Sequence, residues 1–568
     1  MTSRKIARVI IHYIWGYFVM KKLLALLLTV TLLMSVAATA SAEWVRPVQT
    51  VETWDEEADF VIVGFGLAGA AAAVEAHDID PEAKVVVLEK MPETLAGGNS
   101  IASGQTFIVP SENGVPEFKK YLEACNEPNP IPDEYLDWLV NGFAEQLPWI
   151  ESVADSAGYE AGYVGGGELK WGSLVVEFDT FPGSVFEGTS AHLRKKNSGA
   201  FENGGVWRCF AEAAKVRGIE VRYENPAIAL VQDPVTREVS GVVATDAEGN
   251  EYTIKSAKGV LLACGGFPGN PYMMEQLDPL GTSVTTACSY SPSDKGYGIR
   301  AAMWAGANLD KEAAPMLFDR GIVAPGVDGG YVDSDTAFGG KAFPGTIRQY
   351  NPGTQPFLKV NRNGERFANE SSPYNDIVYA AAHQPGRVYA QICDANILED
   401  AKRFHTIGCS AQTRNGGEKY IQGKMDEAIE AGALFKCDTL DELADKMGFT
   451  GAAKDTFLAT VERYNELYDK QNDEDFGKPA YRLSAIRTAP FYGCWLGASL
   501  LTTEQGIAIN EKGQALDNDN KPMPGLYITG DMSGSFFANN YPCLMAGVAM
   551  GRTLTFAMKA VKQMAGLE

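Results

Sequence analysis

The alternation of apolar and polar positions first becomes regular near residue 59. After one aspartate, residues 60–63 form an uninterrupted apolar run, as central strands of parallel sheets do because both of their faces are buried. Residues 70–76 are mostly small and apolar, which predicts a helix that packs closely on a sheet. Residues 84–88 predict a second strand, which ends at Glu89. This order of strand, turn, helix and strand predicts a parallel α/β sheet.

The turn between the first strand and the helix has the spacing G-x-G-x-x-G, and Glu89 lies twenty residues beyond its last glycine. Glycines let the backbone approach a pyrophosphate, the helix N-terminus stabilises the negative charge, and the acid binds ribose hydroxyls. The sequence therefore predicts a dinucleotide site. Its predicted contacts in this unit are Gly64, Gly66, Ala68, Gly69, Glu89 and Lys90.

Three later glycine-rich segments, at residues 97–104, 260–266 and 525–531, indicate which dinucleotide is bound. The second and third are apolar strands that run into glycines, and the third ends in an acid. Glycine-rich segments so far along the chain from the first turn suit FAD, whose flavin end is held far from that turn. NAD would need fewer such segments. The alternative is that these are ordinary strand-to-turn glycines. The predicted FAD contacts here are Gly98, Asn99, Ser100, Gly104, Gln105, Ala263, Gly265, Gly266, Asp531 and Ala546.

The pattern changes between residues 331 and 499 to amphipathic helices, such as 440–447 and 455–469, joined by Gly- and Pro-rich connectors. Because the FAD pattern resumes afterwards, we predict an α/β fold with a discontinuous nucleotide-binding domain. Residues 43–330 and 500–568 would form this Rossmann-like FAD-binding domain from a parallel sheet and a β-hairpin at 221–254. Residues 331–499 would form an inserted α+β capping domain. The crevice between the two domains is the expected place for a substrate.

The N-terminus predicts export. Lys21 and Lys22 precede an apolar stretch, residues 23–36, and the small residues 40–42. A basic start, a short apolar segment and a small-residue cleavage site are typical of a secretory signal peptide, here residues 1–42. An uncleaved membrane anchor is the alternative. A second basic and apolar stretch precedes Met20, which is therefore a candidate start of translation.

The composition of the chain argues against several classes of function. A chain of 568 residues, 45% of them apolar, can bury a large core and form more than one structural unit. Its net charge of −23 argues against binding to nucleic-acid phosphates. Nine cysteines without a C-x-x-C pair argue against c-type haem, thioredoxin chemistry and common zinc sites. The five histidines have no ligand spacing, so no metal site is predicted.

Over nearly all of residues 55–568 the chain resembles the FAD-dependent flavoprotein family of fumarate reductases, urocanate reductases and 3-ketosteroid dehydrogenases. The resemblance is carried by residues 64–89, 97–104, 263–266, 360–370 and 525–531. It implies that flavin N5 exchanges a hydride with a substrate carbon while a side chain on the opposite side transfers a proton.

Two positions distinguish the branches of this family. Fumarate-type enzymes have arginines where this chain has Tyr374 and Tyr541, and a substrate-binding histidine near Phe537. The arginine and glutamate of their proton relay fall near Gly353 and Gln355. A fumarate-like dicarboxylate would therefore lose its bidentate partners.

The 3-ketosteroid dehydrogenases are similar to this chain in having tyrosines at both positions. The resemblance implies that Tyr374 exchanges the proton at carbon and that Tyr541 hydrogen-bonds the substrate oxygen, with the backbone N–H of Met545 completing an oxyanion site. It also implies that Phe537 and Met545 contact substrate. The alternative is that both tyrosines are packed aromatics with satisfied hydroxyls. Residues 543–545 are not glycine-rich as in the ketosteroid enzymes, so a steroid is not implied.

These observations predict an exported FAD-dependent ene-reductase that transfers a hydride from flavin N5 to an activated C=C bond of an enone or α,β-unsaturated acid. Electrons would come from a separate membrane-linked or extracytoplasmic cytochrome or quinol-linked donor, since the chain has no second nucleotide motif. The alternatives are a 3-ketosteroid-type dehydrogenase running oxidatively, a fumarate- or urocanate-type carboxylate reductase, and a flavin electron carrier without a small-molecule substrate.

Overall fold

The computed structural model describes residues 45–103, 106–110, 115–125, 130–163, 172–175, 185–198, 204–291, 293–404, 417–538, 541 and 547–568. The predicted signal segment, residues 1–42, lies outside these ranges, as do Gly104, Gln105, Met545 and Ala546. Within the described ranges no helix is both long enough and apolar enough to cross a bilayer.

Strands and α-helices are numbered separately in chain order. The described strands are β1 Glu56–Ala58, β2 Phe60–Val63, β3 Val85–Leu88, β4 Phe107–Pro110, β5 Tyr159–Tyr163, β6 Gly172–Val175, β7 Val185–Lys195, β8 Glu220–Arg222, β9 Ala227–Gln232, β10 Val239–Thr245, β11 Glu251–Ser256, β12 Val260–Leu262, β13 Thr285–Cys288, β14 Pro315–Val323, β15 Val332–Asp333, β16 Lys341–Ala342, β17 Leu358–Val360, β18 Tyr389–Cys393, β19 Phe435–Cys437, β20 Phe491–Thr503, β21 Gln514–Leu516 and β22 Pro522–Ile528. The described α-helices are α1 Leu67–Ile79, α2 Val115–Cys125, α3 Asp133–Ser156, α4 Gly205–Val216, α5 Pro271–Leu277, α6 Pro279–Val284, α7 Tyr297–Ala305, α8 Tyr374–Ala381, α9 Ile397–Arg403, α10 Glu418–Glu430, α11 Leu440–Lys446, α12 Ala452–Lys470 and α13 Val548–Met564.

A six-stranded sheet in the order β21-β22-β12-β2-β3-β8 forms the centre of the nucleotide-binding part. Strands β22, β12, β2, β3 and β8 are parallel, and β21 pairs antiparallel at the edge. Strand β2 is wholly buried in the middle, as its apolar sequence predicts. Helix α1 contacts β2, β3 and α13, and its small side chains at 70–73 permit this close packing. The parallel strands bring their carboxyl ends to one edge, where ligands bind in such sheets.

The β-hairpin predicted at residues 221–254 is wrong in its extent. Residues 220–222 pair with β3 in the central sheet, and a separate sheet has the order β1-β11-β10-β9. Two aspartate turns cause the difference. The carboxylate of Asp233 accepts the N–H groups of Val235 and Thr236, and that of Asp246 accepts the N–H of Asn250, so the chain reverses twice.

A third sheet contains strands from both predicted domains. Strand β20 pairs with β13 and β14 from residues 285–323 and with β18 and β19 from residues 389–437. It also runs across the predicted boundary at 499–500. The helices predicted at 440–447 and 455–469 correspond to α11 and α12. The boundaries of the capping domain stay predictions, while the mixed α/β architecture agrees with the predicted fold class.

Candidate active site

A cavity of about 1040 Å³ lies at the carboxyl edge of the central sheet. Most of the predicted cofactor residues that the structure describes line it, and they follow β2, β3, β12 and β22 or lie in the short helical turn Gly98–Ile101. These residues are Gly64, Gly66, Ala68, Glu89, Lys90, Gly98, Asn99, Ser100, Ala263, Gly265 and Asp531. Two predicted contacts, Gly69 and Gly266, are absent from the wall and pack behind it instead.

The glycine turn after β2 is shaped for close backbone approach. Gly64 has φ +99°, and a Cβ there would lie 2.4 Å from the carbonyl oxygen of Ala263. A Cβ on Gly69 would lie 1.9 Å from the carbonyl oxygen of Gly64. Helix α1 begins directly after Gly66. Its N-terminus and the open backbone of the turn form a cradle that fits the pyrophosphate of a dinucleotide.

Glu89 is buried at the end of β3. One oxygen of its carboxylate accepts the N–H of Phe65 and the other that of Met91, each at 2.8 Å. Burial raises the pKa of Glu89. Each carboxylate oxygen retains a second lone pair, so the group can still accept ribose hydroxyls as predicted.

The cavity wall also carries Asp294 and Glu504, two buried acids that were not predicted as site residues, beside the predicted Asp531. Asp294 accepts the Asn99 amide at 2.8 Å, and Asp531 accepts the Thr502 hydroxyl at 2.7 Å. Burial and the charge of Asp531 raise the pKa of Asp294 to about 8. Oδ1 of Asp294 and Oε1 of Glu504 are buried without a hydrogen-bond partner among the described residues. A carboxylate oxygen of this kind can accept a hydrogen bond from a polar group of a bound cofactor, and a protonated carboxyl can donate one.

Tyr541 lines the cavity and is 7% exposed. The hydroxyl oxygen accepts the backbone N–H of Ala549 at 3.2 Å, in the first turn of α13. The ring contacts Phe537 edge-on, with centroids 5.5 Å apart. Phe537, predicted to contact substrate, is absent from the cavity wall and instead supports Tyr541. The contact with Phe537 and the hydrogen bond from the Ala549 N–H fix the position of the Tyr541 phenol.

Tyr374 is the first residue of α8, and its side chain lies outside the described part of the structure. Four residues earlier, the buried Glu370 forms a fork with the Arg366 guanidinium, at 2.9 and 2.8 Å. Arg366 makes a second fork to Asp473, at 3.0 and 2.9 Å, and the Lys478 ammonium lies 3.4 Å from Glu370. This ionic cluster anchors the segment that leads into α8.

Side chains from distant segments add a further part of the wall. Met316, Phe318 and Arg320 come from β14, and Gln349, Asn351 and Tyr420 come from residues within the predicted capping domain. None of these six residues was predicted from the sequence. Residues 315–320 do not alternate between apolar and polar side chains, and Gln349, Asn351 and Tyr420 lie in no motif, so no sequence pattern indicated these residues.

The family comparison agrees with this geometry. The model of the FAD binding domain family matches residues 59–543. The chain belongs to this family. The predicted FAD cofactor and oxidoreductase class are confirmed, and the family's members act on C=C or CH–CH bonds.

Similar proteins include a vinyl phenol reductase of Lactiplantibacillus plantarum, 28% identical over 511 residues that cover 87% of this chain and 93% of the relative. An NADH:acrylate oxidoreductase of Vibrio harveyi is 25% identical over 86% of this chain, which spans only 49% of that relative's length. Among solved structures, a 3-ketosteroid Δ1-dehydrogenase from Sterolibacterium denitrificans superposes with a TM-score of 0.67 and 20% identity, over 90% of this chain and all of that chain. Urocanate and fumarate reductases are also relatives, which confirms the predicted resemblance.

Gly69 offers a test of the cofactor site of this flavoprotein. Gly69→Ala is expected to weaken FAD binding about 10- to 100-fold, because the added methyl forces the Gly64 carbonyl out of the turn. Flavin absorbance per protein after dilution and gel filtration measures the loss. Gly423→Ala, where a Cβ meets nothing within 4 Å, is the matched control and should retain its FAD. Equal FAD retention in both variants would contradict the assigned role of the turn.

Proposed function

We propose that this flavoprotein is an exported reductase of activated carbon–carbon double bonds, acting on an enone or an α,β-unsaturated acid. The observation that carries the proposal is the position of Tyr541, which lines the same cavity as the dinucleotide turn. A phenol stays uncharged beside an apolar substrate, yet it can donate a hydrogen bond to an oxygen that gains charge. The similarity to reductases of vinyl phenol and acrylate supports the direction of the reaction.

In this proposal two tyrosines handle the substrate. Bound FAD would supply two electrons and one hydrogen to the alkene. Tyr374 donates the second hydrogen as a proton to the other alkene carbon, and Tyr541 holds the substrate oxygen. The anchored Glu370 keeps the backbone before Tyr374 in place, so that the proton donor approaches in one orientation.

Tyr374→Phe is expected to lower the rate of alkene reduction about 100-fold, because the proton must then come from a poorly oriented group or from water. Single-turnover reoxidation of the reduced flavoprotein by substrate measures this step directly. Flavin reoxidation by a dye should keep its rate, because it needs no proton donor to carbon. An unchanged rate with substrate would remove Tyr374 from the mechanism.

The proposal gives the capping domain a role in binding. Residues 43–330 and 500–568 form the Rossmann-like FAD-binding domain, and residues 331–499 close over the substrate. Gln349, Asn351 and Tyr420 support this division of labour, because they reach the cavity from the capping residues. Tyr420 donates its hydroxyl to the Asn351 side chain at 2.9 Å, which holds both at the polar end.

Export and the electron donor belong to the same proposal. The signal-like residues 1–42 support export to the periplasm or cell surface, where cytoplasmic NADH is not at hand. A separate cytochrome or quinol-linked protein then delivers the electrons, as in anaerobic respiration. Sequencing the N-terminus of the mature protein tests the first part, because a mature chain that begins at Thr2 would contradict cleavage.

The reaction itself is tested with the purified, FAD-loaded protein, reduced viologen dye and a panel of enones and unsaturated acids. Turnover of at least one alkene is the expected result. No turnover of any alkene at full FAD content would overturn the proposal. Faster oxidation of saturated ketones with an artificial acceptor would favour a dehydrogenase, and rapid exchange with a partner protein alone would favour an electron carrier.

A further inference from the structure

One wall of the cavity changes from apolar to cationic along a single strand. Met316, Phe318 and Arg320 of β14 line the cavity, whereas the intervening Leu317 and Asp319 are absent from its wall. These three side chains form one row about 13 Å long, as alternate residues of a strand do. They do so although the pairing of β14 with β20 shifts register between Met316 and Leu317 and between Phe318 and Gly321. A ligand against this row meets two apolar side chains and then a guanidinium.

Arg320 is held in place within this row. Its side chain is 6% exposed, and its guanidinium lies 4.6 Å from the centre of the Phe318 ring. Nη1 donates to the Gln349 amide oxygen at 3.4 Å, and the Gln349 amide donates to the Ser289 hydroxyl at 2.8 Å. The backbone N–H of Tyr350 donates to the Arg320 carbonyl at 3.0 Å, which docks the Gln349 segment beside β14.

Charged side chains of both signs line the cavity. Four acids on the wall, Glu89, Asp294, Glu504 and Asp531, are engaged at the cofactor residues or beside Arg552. Asp319 is buried and faces Lys359 at 3.8 Å, away from the cavity wall. Lys424, at the Tyr420 side of the cavity, adds a second positive charge, although it is paired with Glu427 at 2.7 Å. Lys90, Arg194 and Lys295 also line the cavity, so the part lined by β14 and the capping residues carries two of its five lysine and arginine side chains.

We propose that Arg320 is a specificity-determining residue that pairs with an acidic oxygen group of the alkene substrate, a carboxylate or a phenolate. This inference rests on the proposed function and narrows its substrate class, because a neutral enone lacks the partner group. Met316 and Phe318 pack along the apolar body of the substrate. The planar fork of the guanidinium, fixed by Phe318 and Gln349, binds an oxyanion with little loss of side-chain entropy.

The test compares neutral and acidic members of matched pairs by their dissociation constants, measured by flavin fluorescence on the FAD-loaded enzyme. Cinnamate with methyl cinnamate probes a carboxylate, and 4-vinylphenol with 4-methoxystyrene probes a phenol. The wild-type protein should bind the acidic member of at least one pair about 10- to 100-fold more tightly than the neutral one. The pair that shows the preference identifies which oxyanion is bound.

Arg320→Gln should abolish the preference without changing affinity for the neutral member, and Arg320→Lys should retain part of it. Arg463→Gln, which removes a surface arginine outside the cavity, is the matched control and should retain all of it. Equal wild-type affinities within both pairs would overturn the inference, and this comparison does not depend on the folding of a variant. An Arg320→Gln protein that keeps the preference would overturn it as well.

The binding measurement separates this inference from the proposed function. Reduction of methyl cinnamate or cyclohexenone without any preference for acidic ligands would leave an ene-reductase but remove the role of Arg320. Binding of the acidic ligands with the expected preference, but no reduction of any alkene at full FAD content, would support Arg320 and overturn the proposed function.

Discussion

Replacement of Tyr541 by phenylalanine is expected to lower kcat/KM for alkene reduction about 100- to 1000-fold, the range found when one donor to a developing oxyanion is removed. The hydroxyl receives the Ala549 N–H at the start of α13, and this hydrogen bond polarises its own O–H. The ring is fixed between buried neighbours, so the donor needs no reorganisation when charge develops on the substrate oxygen. Phenylalanine keeps the ring and its packing and removes the hydroxyl, which is both the donor to substrate and the acceptor of the Ala549 N–H.

Steady-state reduction of a neutral enone with viologen as donor measures this effect, since a neutral substrate does not depend on Arg320. Tyr468→Phe is the control, because Tyr468 lies in α12 and is absent from the cavity wall. The control should keep its wild-type kcat/KM. If Tyr541→Phe does the same with FAD fully bound, the hydroxyl has no part in transition-state stabilisation.

Arg366→Met is expected to lower the free energy of unfolding by about 3 kcal/mol or more, because it leaves two buried carboxylates without their shared partner. Arg366 is 5% exposed on its side chain, and the carboxylates of Glu370 and Asp473 are buried with it. Burial opposes the ionisation of Glu370, but Lys478 and Arg366 outweigh it and hold its pKa below the ordinary value. The stabilisation is therefore present at neutral pH and is lost as the pH falls through the folded-state pKa.

Urea unfolding at neutral pH, followed by tryptophan fluorescence, measures the change. The matched control is Arg463→Met, which removes an arginine that pairs with three acids on the protein surface, whereas Arg366 pairs with two buried ones. Its unfolding midpoint should move far less, because solvent screens exposed ion pairs. Equal shifts in the two variants would show that burial does not strengthen the Arg366 cluster.

Features formed by residues that are neighbours along the chain were predicted from the sequence more fully than features that depend on contacts between distant residues. The Gly64 turn and Glu89 were predicted correctly as parts of one strand, turn, helix and strand unit, because neighbouring residues determine their relative placement. The hairpin at 221–254 was predicted with one reversal too few, since the aspartates at 233 and 246 each start a turn that alternation alone does not reveal. Phe537, predicted to contact substrate, packs on Tyr541 and is absent from the cavity wall.

The FAD-binding turn, the family and the reaction class were thus determined by the sequence itself, because a backbone that must approach a pyrophosphate tolerates few residues at few positions. Only the tertiary structure decided the polar end of the cavity. Arg320, Gln349 and Tyr420 lie far apart along the chain, and the pairing of β14 with β20, the docking of residue 350 on Arg320 and the position of α10 bring them to one wall. Their chemistry depends on burial and proximity, which arise when the sheets pack.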